Sequence, residues 1–196
     1  MIFYHIDRNH SLHEGQIVNL VNPHTTDDDN VNKMSHDLFP DGLSFNGCNY
    51  IRNLNNPDQN GFVSKETHSL LITWLIETNF EFVRRIKFSN SISRFQAFFA
   101  LENIEDANCW PKFNLQNSLI WEVSAESNEY EKLDSSLLIG GLFYPTFSYY
   151  ASREYKFAVD YWSARSSDNP RYEILIKPPI KVLRQISIPS LGQSNV

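Results

Sequence analysis

The sequence predicts a single α+β domain over residues 1–196, and three observations lead there. Strand-like segments are interrupted at irregular intervals by helical ones, where a parallel βαβ architecture would alternate them regularly. A chain of 196 residues, 41% hydrophobic and 14% aromatic, supplies one substantial core and falls short of two ordinary domains. No internal repeat or low-complexity tract divides it.

In order along the chain, Phe3, Tyr4 and Ile6 are strand formers and make residues 2–6 a short first strand. Residues 11–20 add a turn and a second strand. From Asn22 to Asp37 the chain is polar and acidic without a hydrophobic period, which predicts a surface loop. Its Asp27-Asp28-Asp29 triplet lacks the glycine and distal Glu of a calcium loop and reads as a solvated face. Pro40 and Gly42 predict a turn, with loop continuing to Asn60. Ser64 is a good N-cap for the clearest helix, whose Leu71, Trp74, Leu75, Thr78 and Phe82 recur at helical spacing and so predict its buried face. Phe95–Ala100, Ser118–Ala125 and Glu173–Val182 look extended. Asn103–Cys109 and Ser148–Ser163 look helical, the latter set off by Pro145, and a short frayed tail follows Pro189.

Composition narrows the function classes. A net charge of -6 and a pI near 5.5 argue against a broad phosphate-neutralising surface and leave room only for a local basic groove. Cys48 and Cys109 are the two cysteines, in no paired motif, so neither a disulfide framework nor a thiolate zinc site is expected, and a reducing, cytoplasmic setting fits. A polar and charged run directly after the first few residues predicts no signal peptide, and no stretch approaches the roughly 20 apolar residues of a membrane span. The chain has no Gly-rich phosphate loop with Lys-Ser/Thr, no GxGxxG, no GxSxG and no HExxH. His5, His10 and His13 have no common metal-ligand spacing, so no metal is expected.

Three segments carry chemistry when taken together. Phe3-Tyr4-His5-Ile6-Asp7, followed by Leu12 and Gly15, resembles the opening of bacterial ADP-ribosyltransferase-like toxins. Ser93-Arg94-Phe95-Gln96-Ala97-Phe98-Phe99-Ala100, followed by Asn103–Ala107, is similar to that superfamily's second motif. Tyr172–Ile186, with Glu173 opening a strand that passes through Pro178-Pro179 into a Val182-centred strand, resembles its C-terminal motif. Read as residues alone, His5 is a half-buried strand histidine, Phe95, Phe98 and Phe99 are equally well strand packing, and Glu173 is a solvated carboxylate. By period 2, Glu173 and Leu175 share one face of a strand and Ile174 and Ile176 the other.

The resemblance implies a split two-sheet core with flanking helices, NAD as substrate, and Glu173 as the catalytic residue. It implies that His5 holds a ribose hydroxyl and that backbone at Ile6 grips the nicotinamide carboxamide, with Tyr4 and Asp7 beside them. It further implies that Ser93, Arg94 and Gln96 serve the ribose or phosphates, that Phe98 stacks on nicotinamide, and that Tyr161 walls the cleft. The activity implied is mono-ADP-ribosylation of a macromolecule, RNA or DNA by preference, in a toxin–antitoxin or anti-phage module with an antitoxin protein as partner. The chain lacks a Ser-Thr-Ser motif and a Glu-x-Glu pair, which sets it apart from the arginine-specific toxins. The rival readings are a non-catalytic interaction module of the same fold, an NAD glycohydrolase and a protein-modifying transferase.

Overall fold

The computed structural model, which describes residues 1–22, 29–52, 65–110, 117–125, 129–143 and 148–186, is mixed α+β, with two antiparallel sheets packed face to face. One sheet has four strands in the order β1 (Ile2–Asp7), β4 (Leu119–Ala125), β9 (Ile180–Ile186), β2 (Ile17–Val18). The other has β3 (Phe98–Ala100), β8 (Tyr172–Ile176) and β5 (Tyr130–Asp134), with β8 central. A small ribbon pairs β6 (Leu142–Phe143) with β7 (Ser148–Tyr149). The helices are α1 (Asp29–Leu38), α2 (Phe45–Arg52), α3 (Lys65–Lys87) and α4 (Ala151–Trp162), with 3-10 turns at Ile104–Cys109 and Ser135–Leu137. Among the described residues no helix is long and apolar enough to cross a membrane.

Strand alternation in β8 builds both halves of the core. Ile174 and Ile176 point between the sheets, against Phe3, Phe98, Val123 and Val182. Leu175 points the other way, against Phe80 of α3 and Tyr161 and Trp162 of α4. Each such side chain, fully buried, contributes roughly 1.5–3 kcal/mol. The Trp162 indole N–H donates to the Phe80 carbonyl at 2.8 Å, which ties α4 to α3.

The two sheets meet at one seam. Residues 98–100 of β3 pair with 176–174 of β8, and then the chain departs: Leu101 exchanges both backbone hydrogen bonds with Tyr4 of β1, at 3.0 and 2.7 Å. Glu173 therefore sits at the point where β8 has lost its β3 neighbour.

Several elements differ from expectation. The polar stretch before residue 38 is helical from Asp29, because Val31 packs onto a satellite core of Phe39, Leu43, Cys48, Ile51 and Phe95. Part of the predicted Asn-rich loop is α2. The Ser44 hydroxyl oxygen accepts the Gly47 N–H at 3.1 Å, an N-cap. A Cβ at Gly47 would lie 2.0 Å from the Phe95 carbonyl oxygen, so only glycine lets α2 approach that closely. Residues 94–96 form a turn instead of a strand start, closed by Gln96 N–H on the Ser93 carbonyl at 2.9 Å. Residues 173–182 divide into β8 and β9 in different sheets, since Pro178 and Pro179 have no N–H to continue a ladder.

The largest correction concerns α3. Of its predicted buried face, Leu71 and Leu75 are exposed and Phe82 is 63% exposed, with Ile86 continuing the same outward stripe. Among the described side chains of α3 the buried ones are Glu77, Phe80, Glu81 and Val83. Two carboxylates face inward because buried cationic and hydroxyl partners await them there, as the site shows. Ser64, Asp27, Asp28, Pro145 and the tail beyond Pro189 lie outside the described residues.

Candidate functional site

A cavity of about 580 Å³ opens at the seam, within the roughly 300–1,000 Å³ of clefts that take small ligands. Tyr4, His5, Ile6, Asp7, Arg94, Phe98 and Glu173 line it; Ser93, Gln96 and Tyr161 do not.

Glu173 is 4% exposed and held through one oxygen. Its Oε1 accepts from Arg94 Nη1 at 2.5 Å and from the Tyr161 hydroxyl at 2.8 Å, and Tyr161 itself has no exposed surface. Among the described residues no hydrogen bond reaches Oε2, so the carboxylate is anchored on one side and open on the other. The Arg94 guanidinium grips Glu77 with two further bonds, Nε to Oε2 at 2.7 Å and Nη2 to Oε1 at 3.0 Å, and lies over the Phe99 ring at 4.8 Å. The Tyr50 hydroxyl hydrogen-bonds Glu77, and burial beside that carboxylate raises the tyrosine pKa.

Two buried carboxylates on one buried cation leave a formal charge of minus one. Burial pushes the Glu173 carboxyl above its ordinary value, with Arg94 pulling against it. Burial disfavours the Arg94 cation as well, but Glu173 and Glu77 outweigh that and hold its pKa well above the ordinary one.

His5 of β1 lines the same cavity. Its Nδ1 lies 2.7 Å from the Phe99 carbonyl and its ring stands 4.5 Å from that of Phe98. Burial lowers its pKa, opposed by the Phe99 carbonyl and Asp7, so the ring is neutral at pH 7. A carbonyl only accepts, so the single proton sits on Nδ1 and Nε2 is left as an acceptor. Because Tyr4 turns both backbone groups to Leu101, alternation turns those of Ile6 to the same free edge of β1, away from β4. The Ile6 N–H and C=O thus stand unpaired among the described residues.

Other expected site residues have structural duties. Asp7 braces the turn after β1: its oxygens accept from Leu12 N–H at 2.9 Å, Asn9 N–H at 3.2 Å and the Ser11 hydroxyl at 3.3 Å. These bonds outweigh burial and lower its pKa. The Ser93 hydroxyl donates to Glu81 at 2.9 Å, and the Gln96 amide to the Gly42 carbonyl at 2.9 Å. Phe98 belongs to the inter-sheet core and shows only part of its ring to the cavity.

Sequence reasoning missed Glu77, Glu81 and Tyr50. The signal was there in Glu77 and Glu81 flanking Phe80 on one helical face, since two carboxylates beside an apolar residue require a cation if buried. Among the described residues no group of three or more His, Cys, Asp or Glu is placed to hold a metal ion.

Comparison with known proteins supplies a family and no function. The model described as "Protein of unknown function (DUF2441)" matches residues 3–188, nearly the whole chain, and the protein belongs to this family. No curated protein matches it.

Proposed function

We propose that this protein is an NAD-dependent mono-ADP-ribosyltransferase whose site is the seam cavity. The observation that carries the reading is the convergence of His5, the free Ile6 edge and Glu173, from opposite ends of the chain and from two sheets, on one cavity. A split two-sheet core flanked by helices agrees with the ADP-ribosyltransferase-like fold that the three motifs resemble.

In this reading the nicotinamide carboxamide pairs with Ile6 N–H and C=O as a further strand would, and His5 Nε2 accepts a ribose hydroxyl. Glu173 Oε2 accepts the ribose 2′-hydroxyl. The bond between ribose C1′ and the nicotinamide nitrogen breaks, with its electron pair leaving on nicotinamide and positive charge developing on the ribose. The ionised Glu173, fixed by Arg94 and Tyr161, lies beside that charge with no reorganisation left to make. The acceptor then bonds C1′ and releases its proton.

For the acceptor we propose RNA or DNA. With a net charge of -6, contact with such a chain calls for local cations, and Arg8 and Arg171 line the cavity. The setting would be a cytoplasmic toxin–antitoxin or defence module. Wild type and Glu173→Gln incubated with labelled NAD and purified RNA, DNA or lysate proteins test this. Label on nucleic acid with wild type alone is expected. Label on protein would move the acceptor, and nicotinamide release without label would make the enzyme a glycohydrolase.

A further inference from the structure

A second cluster on the cavity wall takes no part in the bond-breaking step above. Arg171 lies two residues before Glu173, so on extended backbone the two side chains leave from the same side, and both line the cavity. The Asp134-Ser135 corner grips it. Arg171 N–H donates to Asp134 Oδ1 at 2.9 Å, and its carbonyl accepts from the Ser135 N–H at 2.8 Å and the Ser135 hydroxyl at 2.7 Å. The same Ser135 oxygen accepts Arg171 Nε at 3.0 Å. The guanidinium lies over the Trp110 ring at 4.8 Å.

This leaves Nη1 and Nη2 directed by the Ser135 bond and the Trp110 ring and, among the described residues, bonded to nothing. Asp134 forms no ion pair with the guanidinium: its oxygens accept from Ser136 N–H and hydroxyl, Ser167 N–H and the Arg171 backbone N–H. Trp110 Nε1 is buried there without a hydrogen-bond partner among the described residues. A guanidinium with its Nε and one face occupied presents a two-donor edge that fits two oxygens of one tetrahedral oxyanion.

We infer that Arg171, held by Ser135 and stacked on Trp110, forms a phosphate-binding subsite of the cavity. The assignment rests on the NAD reading for which phosphate it takes, since the donor's diphosphate and a nucleic-acid acceptor's phosphodiester offer the same chemistry. Arg171's own geometry stands apart from that reading.

Calorimetric titration of the full chain with inorganic pyrophosphate, ADP-ribose, nicotinamide riboside and a short single-stranded RNA tests it in wild type and Arg171→Gln. Wild type binds pyrophosphate, and the variant binds it roughly 10- to 100-fold more weakly, the loss expected for hydrogen bonds to a charged group. An equal loss for ADP-ribose with nicotinamide riboside unchanged assigns the site to the donor's diphosphate; a loss for RNA alone assigns it to the acceptor. Arg171-dependent pyrophosphate binding with no binding of either nicotinamide riboside or ADP-ribose keeps the subsite and removes the NAD reading. Equal affinities of wild type and variant for pyrophosphate, ADP-ribose and RNA, or no binding of any of them by wild type, overturn the inference. Should the glutamine variant fail to fold, Arg171→Lys carries the test: it loses the two-donor edge and predicts several-fold weaker binding, and unchanged affinity contradicts it.

Discussion

Arg94 and Arg171 line the same cavity under opposite electrostatic conditions. Arg94 is 4% exposed and closes ion pairs with Glu77 and Glu173, so its charge is consumed within the fold. The Arg171 side chain is held by the Ser135 hydroxyl and the Trp110 indole, both neutral, while the neighbouring Asp134 carboxylate bonds its backbone N–H and not its guanidinium. A buried cation between two carboxylates is a positioning device: removing it leaves two buried anions without their counterion. A guanidinium whose own hydrogen bond goes to a neutral hydroxyl keeps two donors for an incoming anion.

The contrast is sharpest in stability. Arg94→Ala strands Glu77 and Glu173, and is expected to cost about 3–5 kcal/mol in chemical denaturation, the range for breaking a buried pair from one side. Arg171→Ala gives up one hydrogen bond to a hydroxyl and one ring contact, and is expected to cost about 1 kcal/mol. Equal costs would erase the distinction. Tyr161→Phe tests the anchor itself: losing the hydroxyl that donates to Glu173 costs about 1–3 kcal/mol through the unmet carboxylate and leaves phosphate affinity at Arg171 unchanged.

His5 adds a pH dependence that neither arginine can supply. The unfolded chain binds its proton near the ordinary value of 6.5, and the folded chain only at lower pH, so this contribution is fully present above 6.5 and lost as pH falls toward the folded value. Denaturation across that window is expected to give a smaller slope for His5→Gln than for wild type. The smallest effect belongs to the outer face of α3, where Phe82→Ser changes stability by no more than about 0.5 kcal/mol because that ring is mostly in solvent.

Where each feature was readable follows from the same physics. That Glu173 and Leu175 share one face of a strand and Ile174 and Ile176 the other was readable from strand geometry alone, while the unbroken Ile-Leu-Ile run is what a strand with a core on each face leaves in a sequence. The helix 65–87 was plain as a helix and misread as to its face. Apolar spacing reports that a helix is amphipathic, but the burial of Glu77 is decided by Arg94 on another element, and that of Glu81 by Arg84 and Arg85 of its own helix together with Ser93. Helices α1 and α2 were hidden because their apolar positions are few and are completed by Phe95, far along the chain. Arg171 carried no local signal, since what marks it is the company of Trp110 and Ser135, which only the fold assembles.

The most direct test of the central claim is the rate of nicotinamide release from NAD by purified wild type and Glu173→Gln, with folding of both checked by a cooperative melt. The glutamine keeps the shape and removes the charge beside the breaking bond, so release by wild type and a loss of at least about 100-fold in the variant are expected, the scale on which one pre-organised electrostatic contact acts. Equal rates in the two proteins, or no release by a folded wild type that also fails to bind NAD, would contradict it.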